Sequence, residues 1–149
     1  MATDVNVAFR YQDQKLVESP DGMMRDSVLV TDVTAGTKSV SAGLVWVHPH
    51  GEIHEDTHAF DEVYYVIRGR ANVIMDGRAV PISAGDVVLI PAGVRHRIDN
   101  PNDEVFQIFW LISTNWGDLT SVQEELGRWP VVSPASGWHL EEPSAPPRS

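Results

Sequence analysis

Between Ser27 and Ile112 the chain is cut into short β-branched and aromatic runs, each closed by Gly, Pro, Asn or Asp. SVLVTDV and SVSAGLVWVH are two such runs, parted by the turn cluster TAGTK; EVYYVIRG, RANVIM, AVPIS, VVLI, RHRID and VFQIFWLI follow. β-Branched and aromatic side chains suit a pleated, half-buried surface, and turn residues recurring every 8 to 12 residues or so leave room for strands and little else. Asp76-Gly77 is a dipeptide suited to the positive φ values of a tight hairpin. The pattern predicts an all-β chain, folded as an antiparallel sandwich or barrel, with no helical period before residue 117.

The two ends read differently. Residues 1–26 are polar and irregular, with SPDG as a turn, and are expected to form an arm ahead of a barrel spanning residues 27–115. From Trp116, the text WGDLTSVQEELGRW sets Leu119, Val122 and Leu126 at helical spacing, with Asp118 or Thr120 as N-cap and Gly127 as a stop. The tail beyond is rich in Pro and Ser. Trp129 and Trp138 are costly to leave in water, so residues 116–149 are expected to pack over the barrel or a neighbouring subunit. A chain of 149 residues is enough for one domain with a proper core.

Eleven Lys and Arg stand against 21 Asp and Glu, a net charge of -10, which repels nucleic acid and anionic lipid. Neither is expected as a partner. No stretch is apolar for long enough to span a bilayer and the start is no signal peptide, so the expected location is the cytoplasm. An anionic substrate would need help from Arg25, Arg68, Arg70, Arg95 or Arg97. The chain has no cysteine. That excludes disulfides, thiolate nucleophiles and Cys-ligated zinc, and leaves His and carboxylates as the strong metal ligands.

Those residue types gather in GEIHEDTHAFDE (51–62). Residues two apart share a face of a strand, so His54, Asp56 and His58 point together if extended, and Glu62 shares a face with Tyr64 and Val66. In the later run His96 and Ile98 share a face, with Arg95 and Arg97 turned away. Imidazoles and carboxylates brought together in this way are what a divalent transition metal binds. Glu62, opening an inward face as apolar as this one, needs a partner; an ion pair with Arg68 or Arg70 is the structural alternative to metal.

GDVVLIPAGVRHRIDN (85–100) fits the second cupin motif, G(x)5PxG(x)2H(x)3N, at Gly85, Pro91, Gly93, His96 and Asn100. The first motif, G(x)5HxH(x)3,4E(x)6G, is met in its second half by His58, Glu62 and Gly69. Its first half departs: Gly51 sits one residue too close, and Asp56 stands where the first histidine is expected. Over residues 42–112 the chain therefore resembles the cupin superfamily, in its small single-domain form. The resemblance implies a double-sheet jelly-roll barrel, usually a homodimer, holding one divalent metal (Fe, Mn, Zn or Ni). His58, Glu62 and His96 carry over as ligands. The fourth is Asp56 by position or His54 by chemistry; a third arrangement is a facial triad that leaves one of these two as a base. Tyr64 is a pocket candidate as donor or acid, and His48, His50 and Trp46 are candidates for contact with substrate. The implied function is a metal-dependent enzyme for a small oxygenated substrate (a carboxylic acid, enol or diketone), such as a non-haem iron dioxygenase or a lyase. A polyketide cyclase or isomerase, and a non-catalytic binding cupin, are the alternatives.

Overall fold

Period-two alternation fixes which side of each strand faces inward, and the inward sides close two sheets over one core. The computed structural model describes residues 8–9, 14–115 and 119–132. The large sheet runs, in spatial order, β11(Val131–Val132), β1(Leu16–Glu18), β2(Met24–Val30), β3(Ser41–Val47), β10(Phe106–Ile112), β5(Glu62–Arg68) and β8(Val87–Ile90). The small sheet is β4(Glu52–Asp56), β9(His96–Asp99), β6(Arg70–Met75) and β7(Arg78–Ser83). Every pairing is antiparallel. This is the antiparallel sandwich that the strand spacing predicts, in the double-sheet jelly-roll form that the resemblance implies.

Between the sheets lie Val47, Val66, Val73, Ile90, Ile98 and Phe106, all fully buried. On β5, Tyr64 and Val66 are buried while Tyr65 between them is exposed, as alternation requires. Asp76 and Gly77 take φ of 47° and 82° and close the β6–β7 hairpin, the doubly left-handed turn expected of that dipeptide. Pro81 is carried on β7, at the edge of the small sheet, where a missing donor is tolerated. Asn100 is buried and ties three loops together: its Nδ2 donates to the carbonyls of Val47, His48 and Glu104, and its Oδ1 accepts from the Asn102 backbone.

Two expectations change. The segment read as an arm supplies β1 and the start of β2, joined by a turn in which the Ser19 N–H donates to the Met24 carbonyl at 2.8 Å. Leu16 is buried against Trp46 and Val105 on the outer face of the large sheet, and Met24 and Val28 pack on the main core. The run SVLVTDV ends as a strand at Val30, and α1(Asp32–Ala35) follows where no helix is expected. Capping explains it: the Thr31 hydroxyl accepts from the backbone of Val33 and Thr34, Thr34 Oγ1 accepts from Thr31, and Gly36 ends the turn at φ 66°. Local hydrogen bonds outweigh the β propensity of the run.

Toward the C-terminus, α2(Thr120–Arg128) forms near the expected place, but its N-cap is Leu119 with no side-chain bond, and the helix continues through Gly127. Asp118 and Trp138 lie outside the described residues. Trp129 is buried, and Val131 and Val132 pair with Val17 and Leu16 of β1. Among the described residues no helix is long and apolar enough to cross a membrane.

Candidate metal centre

His58, Glu62 and His96 come from the two different sheets and meet in the interior. Glu62 opens β5 in the large sheet, His58 lies near the start of the loop that leads to it, and His96 opens β9 in the small sheet. The loop bearing His58 is pinned on both sides. Gly93 donates its N–H to the His58 carbonyl at 2.7 Å, and Asp61 Oδ1 accepts from the Ala92 backbone at 2.9 Å. The second motif is thereby fastened to the first.

Each imidazole is oriented by its own backbone. His58 Nδ1 donates to the Phe60 carbonyl at 2.8 Å, and His96 Nδ1 donates to the Val94 carbonyl at 2.9 Å. With both Nδ1 atoms occupied, both Nε2 atoms turn to the same carboxylate oxygen, Glu62 Oε2, at 2.8 Å and 3.5 Å. The three donor atoms lie within 4.8 Å of one another. A metal with bonds of about 2.0–2.1 Å holds neighbouring donors roughly 2.9–3.4 Å apart in octahedral or tetrahedral geometry, so this group is near the size at which it could hold one ion. Fixing a ligand histidine by a carbonyl at its far nitrogen is the usual supporting arrangement at metal sites. Phe60 stacks on the His58 ring at 4.1 Å.

The charges agree with the donor set. Burial acts to raise the Glu62 carboxyl, but the hydrogen bonds and charges of His58 and His96 outweigh it and hold the carboxyl below its ordinary range. Burial likewise acts to lower both histidines, and Glu62 more than offsets it, leaving both above theirs. Arg70 pairs instead with Glu104, so the ion-pair alternative for Glu62 through that residue is not formed.

β4 sets His54 and Asp56, both exposed, differently toward the group. Ile53 pairs with Ile98 and Asp56 with His96, so three steps along β4 span two along β9. The extra residue is a β-bulge, which shifts the inward phase by one. Asp56 is carried onto the face of His96 and lines the same cavity as His58 and Glu62, although it lies outside the three-atom cluster. His54 falls within the bulge, is largely exposed, and pairs with Glu52 at 3.1 Å at the rim. The two do not share a face with His58 in the simple extended manner that alternation suggests.

The cavity over this group has a volume of about 140 Å³, with an adjoining cleft of about 320 Å³. Apolar residues of the barrel, among them Val45, Ile53, Phe60 and Ile108, line it, and Leu119, Val122 and Leu126 of the α2 region cover it. Tyr64 lies fully buried beside Glu62; burial first, then the Glu62 charge, keeps its hydroxyl protonated well above the usual range, which makes it a donor.

Among the described residues no Lys or Arg lines either space. Arg25, Arg95 and Arg97 pair with Glu18, Glu55 and Asp99. Trp46 is buried on the other face of the large sheet. His48 bonds the Pro49 carbonyl, and His50, at φ 65°, pairs with Asp103; neither lines the cavity. A residue absent from the sequence reading does line it. Asp26 on β2 is buried, and desolvation pushes its carboxyl up to about 7. The signal was an acid in phase with Met24 and Val28, hidden by reading residues 1–26 as an arm.

A jelly roll with two motif histidines and a glutamate converging inside it defines a class. Residues 43–112 match the cupin domain model, and the chain belongs to the cupin family. It is 30% identical over 119 residues to the polyketide synthase CurC of Streptomyces cyaneus, covering 73% of this chain and 77% of that protein. Among solved structures, KdgF from Halomonas sp. superposes with a TM-score of 0.65 at 17% identity, over 76% of this chain and 98% of that one. A predicted oxalate decarboxylase from Thermotoga maritima superposes at 0.63 and 20% identity, over 72% and 99%. At such identities the structural likeness speaks for the fold alone.

Proposed function

We propose that this chain is a metal-dependent enzyme acting on a small, neutral, oxygenated substrate of the enol or diketone kind, with His58, Glu62 and His96 holding the metal. The convergence of two Nε2 atoms on one Glu62 oxygen at the foot of an apolar cavity carries the reading. A bound divalent ion supplies Lewis acidity toward a carbonyl or enolate oxygen. Around it the chain's own groups orient and exclude: Tyr64 offers a hydroxyl proton beside Glu62, the apolar walls keep water out, and α2 covers the opening.

Of the substrates the sequence suggests, carboxylic acids are disfavoured, because Asp26, Asp56 and Glu62 line the cavity and, among the described residues, no Lys or Arg does. The likeness to CurC, whose name makes it a polyketide synthase, supports a polyketide-like enol or diketone. That favours a cyclase or isomerase over a dioxygenase or lyase.

Metal analysis of the purified full chain beside His96→Ala and Glu62→Gln tests the site. Near-stoichiometric metal in the wild type and at least about tenfold less in each variant is expected; equal, negligible metal in all three rejects it. Turnover of 1,3-diketones and polyphenols, assayed beside catechols and keto acids with Fe, Mn, Zn and Ni, tests the reaction. Tight binding without turnover under any metal leaves a binding cupin.

A further inference from the structure

Asp26 is an anomaly of the core. Its neighbours in phase on β2, Met24 and Val28, pack on the main apolar cluster, so this is a position where an apolar side chain would be at home. Asp26 is 8% exposed, and its Oδ1 has no hydrogen-bond partner among the described residues. A buried polar atom left unsatisfied is a cost that a well-packed apolar residue would avoid.

The surroundings aim this carboxyl rather than merely tolerate it. Trp110 on β10 lays its indole over β3 on the side of this carboxyl, and both residues line the cavity. The indole can cross only because residue 43 is glycine: a Cβ there would stand 2.7 Å from Trp110 Cζ2 and 2.4 Å from the Ser27 carbonyl oxygen. Three adjacent strands thus cooperate to hold one acid at the wall of the cavity that also contains His58 and Glu62. Apart from Asp56, His58, Glu62 and Tyr64 the rest of the cavity wall is apolar, and among the described residues no Lys or Arg lines the cavity or its adjoining cleft to counter a ligand's negative charge.

We infer that Asp26 is a second polar station of this cavity, a hydrogen-bonding anchor for the hydroxyl or carbonyl oxygen of a neutral ligand with an apolar, ring-bearing body. The inference rests on the proposed function only in taking this cavity as the ligand site; it does not require the metal. A volume of about 140 Å³ accommodates roughly one six-membered ring, and the adjoining cleft extends it. A carboxyl at this wall distinguishes ligands that carry an oxygen from their hydrocarbon analogues, while Asp56 and Glu62 on the same wall set the cavity against anions.

Binding of 2-naphthol, naphthalene and 2-naphthoate to the chelator-treated full chain at pH 6 is the test, with Asp26→Leu and the near-isosteric Asp26→Asn. The wild type is expected to bind 2-naphthol about tenfold more tightly than either other probe, the worth of one hydrogen bond to such a group. Asp26→Leu should erase the preference for 2-naphthol over naphthalene while keeping naphthalene binding, and Asp26→Asn should retain part of it. Binding of 2-naphthol should also shift the indole N–H resonance that Trp110→Phe deletes. Unchanged 2-naphthol affinity in Asp26→Leu, or no saturable binding of any probe to the wild type, overturns the inference. His96→Ala run alongside separates the readings: it should lose metal and keep the 2-naphthol preference. A wild type that holds no metal but still shows the Asp26-dependent preference loses only the metal reading.

Discussion

Burial holds the Asp26 carboxyl neutral up to about pH 7, whereas in the unfolded chain it ionises near its ordinary value of 3.8. A folded-state pKa above the unfolded one means that the neutral form is what folding favours. This contribution to stability is complete below about pH 4, declines as pH climbs, and is lost once pH passes the folded value near 7. Asp26→Asn removes the titration with little change of shape. The variant should therefore gain on the wild type between pH 4 and pH 8, by something on the order of 3 to 4 kcal/mol at most, in urea melts taken at each pH. A constant difference across that range would mean that the carboxyl is not held neutral. Gly43 makes a second prediction at this scale. Gly43→Ala forces its methyl against the Ser27 carbonyl and the Trp110 indole, and overpacking of this kind costs about 1–3 kcal/mol. The same melts should show it, with a changed near-ultraviolet tryptophan spectrum; an unperturbed spectrum would show that the indole does not lie over residue 43.

At the scale of elements, what could be read from the letters was what depends on one strand at a time. Glu62, Tyr64 and Val66 fall on one side of β5, and His96 and Ile98 on one side of β9, because alternation within a run decides it. The motif spacing then joined His58, Glu62 and His96 without any pairing being known, and these are the three that converge. The placement of His54 and Asp56 was not legible, because the bulge between Ile53 and Asp56 exists only relative to β9. Nor was Asp26, whose inward turn depends on β2 pairing with β3. The four-residue α1 was missed because side-chain caps, not periodicity, make it. α2 is held mainly by one apolar face, with Val122 and Leu126 one turn apart over the cavity and no side-chain cap at its start. Leu126→Asp should detach it: amide exchange across Thr120–Arg128 should accelerate at least tenfold or so while β3, β5 and β10 keep their protection. Uniform acceleration throughout the barrel would instead show that the helix is part of the core's cooperative unit.

For the whole molecule, the relevant fact is a net charge of -10 around a cavity whose rim carries Glu55 and Glu125 and whose wall carries Asp56 and Glu62. Such a field draws a divalent cation in and turns anions away. Its reach depends on salt: screening acts over about 30 Å at 0.01 M ionic strength, comparable to the size of a small domain, and over about 8 Å at 0.15 M. At low salt the full charge steers the ion; at physiological salt only the rim and wall carboxylates do. The association rate of Mn2+ with the chelator-stripped chain, followed by stopped flow at pH 7.5, should accordingly fall several-fold between those two salt concentrations. Glu55→Gln combined with Glu125→Gln should slow it further at the higher salt, where the nearby charges are what remains, and should leave the rate of 2-naphthol binding unchanged because that ligand has no charge to steer. A Mn2+ rate indifferent to salt and to the rim substitutions would show that the ion enters by a path this face of the barrel does not control.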